Sequence, residues 1–175
     1  MKTFAFAALL TLAAAPVFAQ ESGTRVPVEH KQVLATNPIG DVLGWFNLEY
    51  NRKINESVTF ELSGSTFDFF DDDARVNRLS AGARFYPQGA ALTGFFVGGK
   101  IGLFHYDEDR EFDQFEDSGT AYLFAAEVGY EWLVGKNRNF HFGIGAGGTR
   151  LFGGDVEEDL GIAYPTARLK IGFAF

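Results

Sequence analysis

The sequence predicts an all-β fold, a closed eight-stranded antiparallel transmembrane β-barrel. Three observations point there. Apolar and polar residues alternate with period 2 through seven segments, with no helical stretch of any length between them. The connections between segments alternate between short turns and acidic loops. The polar half of the alternation carries charges of both signs in near balance, while the apolar half is rich in aromatic residues.

The chain opens with MKTFAFAALLTLAAAPVFA. Lys2 supplies a positive start, and Phe4 to Ala15 is an apolar run of 12 residues, short of the ~20 that a transmembrane helix needs. Pro16 ends the run, and Val17-Phe18-Ala19 puts small or β-branched residues at the −3 and −1 positions. This reads as a secretory signal cleaved after Ala19, so the mature chain leaves the cytoplasm. Residues 20–29 read as a flexible lead-in, and residues 30–175 as the barrel.

The first strand is expected over His30 to Asn37, where alternation is weak, followed by a tight Pro38-Ile39-Gly40-Asp41 turn. The other seven are clear. Phe46, Leu48 and Tyr50 alternate with Asn47, Glu49 and Asn51; Val58, Phe60 and Leu62 with Thr59, Glu61 and Ser63. Leu79, Ala81, Ala83 and Phe85 alternate with Arg78, Ser80, Gly82 and Arg84; Val97, Gly99, Ile101 and Leu103 with Phe96, Gly98, Lys100 and Gly102. Tyr122 to Trp132 alternate with a set holding Glu127, Gly129 and Glu131. Phe140, Phe142, Ile144 and Ala146 alternate with His141, Gly143, Gly145 and Gly147; Leu169, Ile171, Phe173 and Phe175 with Arg168, Lys170 and Gly172. An even strand count brings both ends of a closed antiparallel sheet to one side.

Lys53–Glu56, Tyr86–Ala90 and Gly135–Asn139 are short and basic or neutral connections. Asp68–Asp73, Asp107–Asp117 and Gly153–Asp159 hold 15 of the 23 acids. Because the two kinds alternate, antiparallel pairing puts every acidic loop at one end and every short turn at the other.

Composition excludes several classes. With no Cys there is no disulfide scaffold, thiol catalysis or Cys-based zinc site. A net charge of −8 argues against nucleic acid as a partner, and loss of Lys2 with the leader leaves 14 bases against 23 acids. Phe and Gly, at 20 and 21 residues, are over-represented, yet mean hydropathy is only −0.04.

The orientation of the sheet explains that mismatch. The polar face carries Glu49, Glu61, Arg78, Arg84, Lys100, Glu127, Glu131, Arg168 and Lys170, four acids and five bases, as a narrow interior of paired charges requires. The apolar face carries Trp45, Phe46, Tyr50, Phe85, Phe95, Tyr130, Trp132, Phe140, Phe173 and Phe175, the composition of an aromatic girdle at a membrane interface. In lipid, a closed barrel is the sheet that satisfies its own backbone. A soluble, lipocalin-like barrel is the alternative, with aromatics inside and charges outside. The apolar alternation running into the terminal Phe175 favours the membrane form.

Four segments carry a family resemblance: Phe46–Arg52, Ala83–Pro87, Ala126–Trp132 and Pro165–Phe175. Together with the terminal Phe they resemble small eight-stranded bacterial outer-membrane barrels such as OmpX and the OmpA transmembrane domain. They look like a subfamily described only as an outer-membrane β-barrel domain of unknown function. The resemblance implies location in the Gram-negative outer membrane, with outer-membrane lipid and lipopolysaccharide as neighbours. It also implies delivery by the barrel assembly machinery through the strand that ends at Phe175. It implies no activity, since this fold hosts adhesins, anchors, enzymes and pores.

No catalytic, cofactor-binding or metal-ligating residue is expected, and no cofactor. A lipid A deacylase-like enzyme, the first alternative, would need a His with a Ser in reach and an acid to orient it. His105 lies near the loop end of its strand beside Asp107, but no H-x-S occurs in the sequence, and His30 and His141 read as rim or lumen hydrogen-bonders. Phosphate-loop, Rossmann and HExxH motifs are absent. The acidic loops read first as a solvated, repelling surface and second as a rim where divalent cations bridge to lipopolysaccharide phosphates. Gly143, Gly145, Gly147 and Gly148 read as lumen-facing fillers. Counting from hairpin centres sets Glu61 opposite Arg84, Lys100 opposite Glu127 and Glu131 opposite His141, within a slip of two residues. These pairs predict a salt-bridged plug rather than a narrow pore, the second alternative. The expected role is structural or interactive: envelope integrity, adhesion or lipopolysaccharide contact through acidic extracellular loops.

Overall fold

Alternation with period 2 gives each strand one apolar and one polar edge, and the sheet closes so that the polar edges face one another. The computed structural model describes residues 30–68, 74–108, 117–154 and 163–175. The leader expected at 1–19, the lead-in at 20–29 and most of the three acidic loops lie outside the described residues. The strands are β1 (Gln32–Thr36), β2 (Trp45–Asn55), β3 (Val58–Asp68), β4 (Ala74–Phe85), β5 (Gly94–Glu108), β6 (Asp117–Val134), β7 (Phe140–Phe152) and β8 (Ala163–Ala174). Each pairs antiparallel with the next, and β1 pairs with β8 to close the barrel. The backbone of Phe175 continues this seam, donating to Gln32 O at 2.9 Å and accepting from Lys31 N at 3.1 Å.

Between β1 and β2 lies a short helix, α1 (Pro38–Val42), where the sequence suggested a tight turn. Two residues explain it. The Asn37 side chain accepts from the backbone N–H groups of Ile39 and Gly40, at 3.2 and 3.3 Å, and Pro38 fills the first helical position, where no N–H is needed. β1 is therefore shorter than the expected His30–Asn37. At the opposite end, β2 and β3 are longer than expected, so Glu56-Ser57 alone forms their turn. The β4–β5 connection spans 86–93 and is longer than the five residues assigned to it.

The wall is inverted relative to a soluble barrel. Large apolar side chains point outward, among them Ile101 (65% exposed), Phe140 (62%) and Leu79 (57%). Glu49, Glu61, Arg84, Lys100, Glu127, Glu131 and Lys170 are buried inside. In water this arrangement leaves nearly all the apolar surface unburied; in hydrocarbon it does not. Outward aromatics cluster at the short-turn end, where Tyr130 and Trp132 lie 4.6 Å apart, Trp132 and Phe142 5.7 Å, and Phe140 and Phe173 6.2 Å between centroids. Tyr122 and Phe152, 6.1 Å apart, lie at the loop end. Trp45, expected on the apolar face, instead shares the inward edge of β2 with Asn47 and Glu49, and its ring meets Phe67 of β3 at 5.8 Å. Gly148, expected in the lumen, faces outward with Ala146, one position out of step with Gly147.

Glycine inside the barrel is required where backbones approach. A Cβ on Gly147 would stand 2.1 Å from Ala126 O, and one on Gly102 2.1 Å from Leu79 O. A Cβ on Gly148 meets nothing nearer than Tyr164 O at 3.8 Å. Gly147→Ala is therefore expected to destabilise the barrel by about 1–3 kcal/mol, the usual cost of overpacking. Gly148→Ala should change stability by less than about 0.5 kcal/mol. The urea midpoint of the heat-modifiable band on a gel measures both; equal shifts would contradict the close approach at Gly147.

Candidate functional site

The lumen has two unlike halves. At the short-turn end, the β4–β5 connection folds inward. Leu92 is fully buried in one apolar cluster with Val33, Ala35, Leu133 and Ala174, so a loop side chain joins a core built from β1, β6 and β8. Its φ of 73° is the left-handed region, which costs a non-glycine residue about 1–2 kcal/mol. Burial of a leucine side chain, at about 1.5–3 kcal/mol, offsets that cost. Tyr86, Ala91 and Phe96 form a second apolar cluster beside it. The connection is pinned by Tyr86 N donating to Ser57 O and Ala91 N donating to Glu56 O, both at 2.8 Å.

Above this apolar floor sits a charged network centred on Arg84. Its guanidinium reaches Glu49 at 2.7 Å, Glu61 at 2.6 Å, Glu127 at 2.9 Å and Glu131 at 3.1 Å, and it donates to Asn51 Oδ1 at 2.8 Å. The ring of Phe96 lies 4.9 Å from its central carbon. Lys100 bonds Glu61 at 2.7 Å, Lys170 bonds Glu49 at 3.0 Å and Arg168 bonds Glu127 at 2.9 Å. The Tyr86 hydroxyl donates to Glu131 at 2.7 Å, and His141 Nε2 lies 3.5 Å from the same carboxylate. Four acids meet four bases here, and the participants come from every strand from β2 to β8.

The three expected pairs all occur, though none is directly cross-strand. Arg84 stands opposite Thr59, Lys100 opposite Ala125 and Glu131 opposite Gly143. Each ladder is shifted by two residues from the hairpin-centre count, because the connections are not symmetric about their midpoints. Long side chains span the diagonal, at 2.6 Å for Arg84–Glu61, 3.9 Å for Lys100–Glu127 and 3.5 Å for His141–Glu131. Tyr86 and Asn51 are network members that the alternation did not single out; the buried polar parity of Asn51 was the available signal.

The loop-side half is hollow. A partly open cavity of about 230 Å³ is lined by Asn47, Ser63, Ser80, Thr149 and Thr166, with Trp45 and Arg78 nearer the mouth and Lys100 and Arg168 at its base. The Ser63 and Ser80 hydroxyls share a 2.8 Å hydrogen bond across the β3–β4 ladder. Arg78 stands apart from the network.

The histidines are dispersed. His30 Nε2 lies 2.8 Å from Asn137 O at the turn end, and His141 is buried in the network. His105 lies on the outer wall near the loop end, with Nδ1 2.9 Å from Thr120 Oγ1 and Nε2 3.0 Å from Asp107. This hydroxyl–imidazole–carboxylate chain is half exposed. The sequence search missed it because Thr120 lies on the neighbouring strand rather than two residues from the histidine. Among the described residues no cluster of His, Asp and Glu has the arrangement of a metal site.

A closed sheet with an apolar exterior and a charged interior defines the class of outer-membrane-type β-barrels. Three solved structures share the fold. The N-terminal β-barrel domain of Pseudomonas aeruginosa OprF matches at 16% identity and a TM-score of 0.50, over 85% of this chain and 98% of that one. Neisserial surface protein A matches at 12% and 0.57, over 83% and 94%. The Yersinia pestis outer membrane protein Ail matches at 17% and 0.50, over 84% and 100%. No curated protein matches the sequence. The chain belongs to the family described as a protein of unknown function, DUF3575, which matches residues 6–152.

Arg84→Ala leaves four buried carboxylates facing three bases and is expected to cost about 3–5 kcal/mol. Arg84→Ala with Glu61→Ala restores the balance and should be the milder change. Chemical unfolding in detergent micelles, followed by tryptophan emission, ranks the two; a double variant less stable than the single would contradict the balanced network.

Proposed function

We propose that the chain is an integral outer-membrane barrel with a structural or interaction role: envelope integrity, adhesion or contact with lipopolysaccharide. One observation carries this reading: an apolar outer wall surrounds an interior in which Glu49, Glu61, Glu127 and Glu131 are each engaged by lumen cations. Such a barrel presents its working surface at its loops, and 15 of the 23 acids fall in the three long ones. In this reading the leader over residues 1–19 exports the chain. The strand ending at Phe175 is its signal to the assembly machinery, and the acidic rim is extracellular. Divalent cations then bridge that rim to lipopolysaccharide phosphates. Leu92 and the Arg84 network plug the turn-side half, so the barrel does not conduct.

Two measurements test this. The protein should fractionate with the outer membrane and show heat-modifiable mobility; recovery from the soluble periplasm would overturn the orientation of the wall. In planar bilayers its conductance should stay at background, and stable open-channel steps would refute the plug.

A second reading, a lipid-modifying enzyme, is favoured by the Thr120–His105–Asp107 chain on the outer wall. His105 is placed to take the Thr120 proton, which is the chemistry an acyl transfer from a lipid needs. The first reading expects no release of fatty acid from lipid A by the wild type. Release that disappears in His105→Ala would replace it with the second.

A further inference from the structure

The nine inward charges singled out by the alternation are five bases and four acids, and their positions show which of these bases is left over. Arg84, Lys100, Arg168 and Lys170 share the carboxylates of Glu49, Glu61, Glu127 and Glu131. Arg78 has no carboxylate within ion-pair distance among the described residues. Among the described residues its one hydrogen bond is from Nη2 to the Tyr164 hydroxyl, at 2.7 Å. Its Nε is buried without a hydrogen-bond partner. Aromatic rings surround the guanidinium, with Trp45 at 5.6 Å, Phe104 at 5.9 Å and Tyr164 at 6.0 Å. Those rings come from β2, β5 and β8, so the cage is made by the closed barrel and not by one hairpin.

A half-buried cation with an unsatisfied buried donor is costly, and rings alone compensate it only in part. Arg78 also lines the loop-side cavity, with the Arg168 guanidinium and the Lys100 ammonium at its base. The walls between them present Ser63, Ser80, Thr149 and Thr166 hydroxyls. We infer that this vestibule is a binding site for a small carboxylate, with Arg78 as its anchor. A guanidinium with no carboxylate partner among the described residues calls for one negative charge, and its planar fork matches a planar carboxylate. The hydroxyl walls suit a ligand that carries hydroxyl groups of its own, and Trp45, at the mouth, suits its apolar face. The ligand enters from the loop side, because the Arg84 network and the Leu92 floor close the other end. The site goes beyond the structural role proposed above and does not depend on it.

Trp45 and Trp132 are the two tryptophans of the chain, and Trp132 lies on the outer wall at the far end. Trp132→Phe therefore makes Trp45 emission a reporter of the vestibule. The folded full-length protein in detergent micelles is titrated at constant ionic strength with glucuronate, acetate and inorganic phosphate. The expected result is a saturable change in Trp45 emission with the two carboxylates, tighter for glucuronate. Arg78→Gln should weaken it at least tenfold, and Arg78→Lys, which keeps the charge but not the fork, by less. Calorimetric titration of the wild-type chain provides the same comparison without the tryptophan substitution, and heat-modifiable mobility shows that each variant is folded. Absence of a saturable response to any probe, or an equal response in folded Arg78→Gln, would overturn the site. Saturation by phosphate in preference to both carboxylates would overturn the ligand class.

Discussion

Arg84 sits where an eight-stranded sheet has no room for solvent, and the rest of the interior is arranged around its charge. An eight-stranded barrel is just wide enough for side chains to fill it. A guanidinium there loses its water, and the loss is repaid only by well-placed partners. Four carboxylates and the Asn51 amide supply them from three other strands of the wall, β2, β3 and β6. Each carboxylate then needs a second cation, which brings in Lys100, Arg168 and Lys170. The outcome is a set of cross-barrel ties that sequence-local hydrogen bonds do not provide.

The same choice of polar interior limits the hydrophobicity of the chain. Filling the lumen with leucine would turn each strand into a continuous apolar run. Alternating it with charge and glycine keeps any 18-residue window short of a helical membrane span and leaves mean hydropathy at −0.04. Glycine contributes a different property. At Gly102 and Gly147 the neighbouring backbone approaches within 2.1 Å of where a Cβ would be, so these residues let the sheet curve tightly enough to close.

Period-2 alternation made the wall legible: the inward parity of all nine charged positions follows from it, as does the location of the outward Phe residues. It was least informative at strand ends. Trp45 is the first residue of β2, where residue type suggested lipid and parity put the ring in the lumen. Register was off by two because it depends on how each connection is divided between its strands, and composition does not specify that division. Leu92 was invisible for a related reason. Its connection reads as a surface turn, and only tertiary packing shows that the turn folds back under the barrel and holds a leucine at positive φ. Asn37 and Pro38 did contain a helix-start signal, but five residues are too few for periodicity to register it.

The division of the lumen separates stability from recognition. The turn-side half combines an apolar floor with a charge-neutral network, and a change to any member leaves an unpaired group behind. The loop-side half has the opposite character: hydroxyls, space, and a cation caged by rings. Arg78 lies six residues from Arg84 on the same inward edge of β4, so one strand contributes to both halves. Its separation from the acids is a matter of depth alone, since Glu49, Glu61, Glu127 and Glu131 all lie below it and are already engaged. A barrel held shut at its lower half can vary its loops and its vestibule without putting closure at risk. That is the physical basis for one scaffold serving many binding roles.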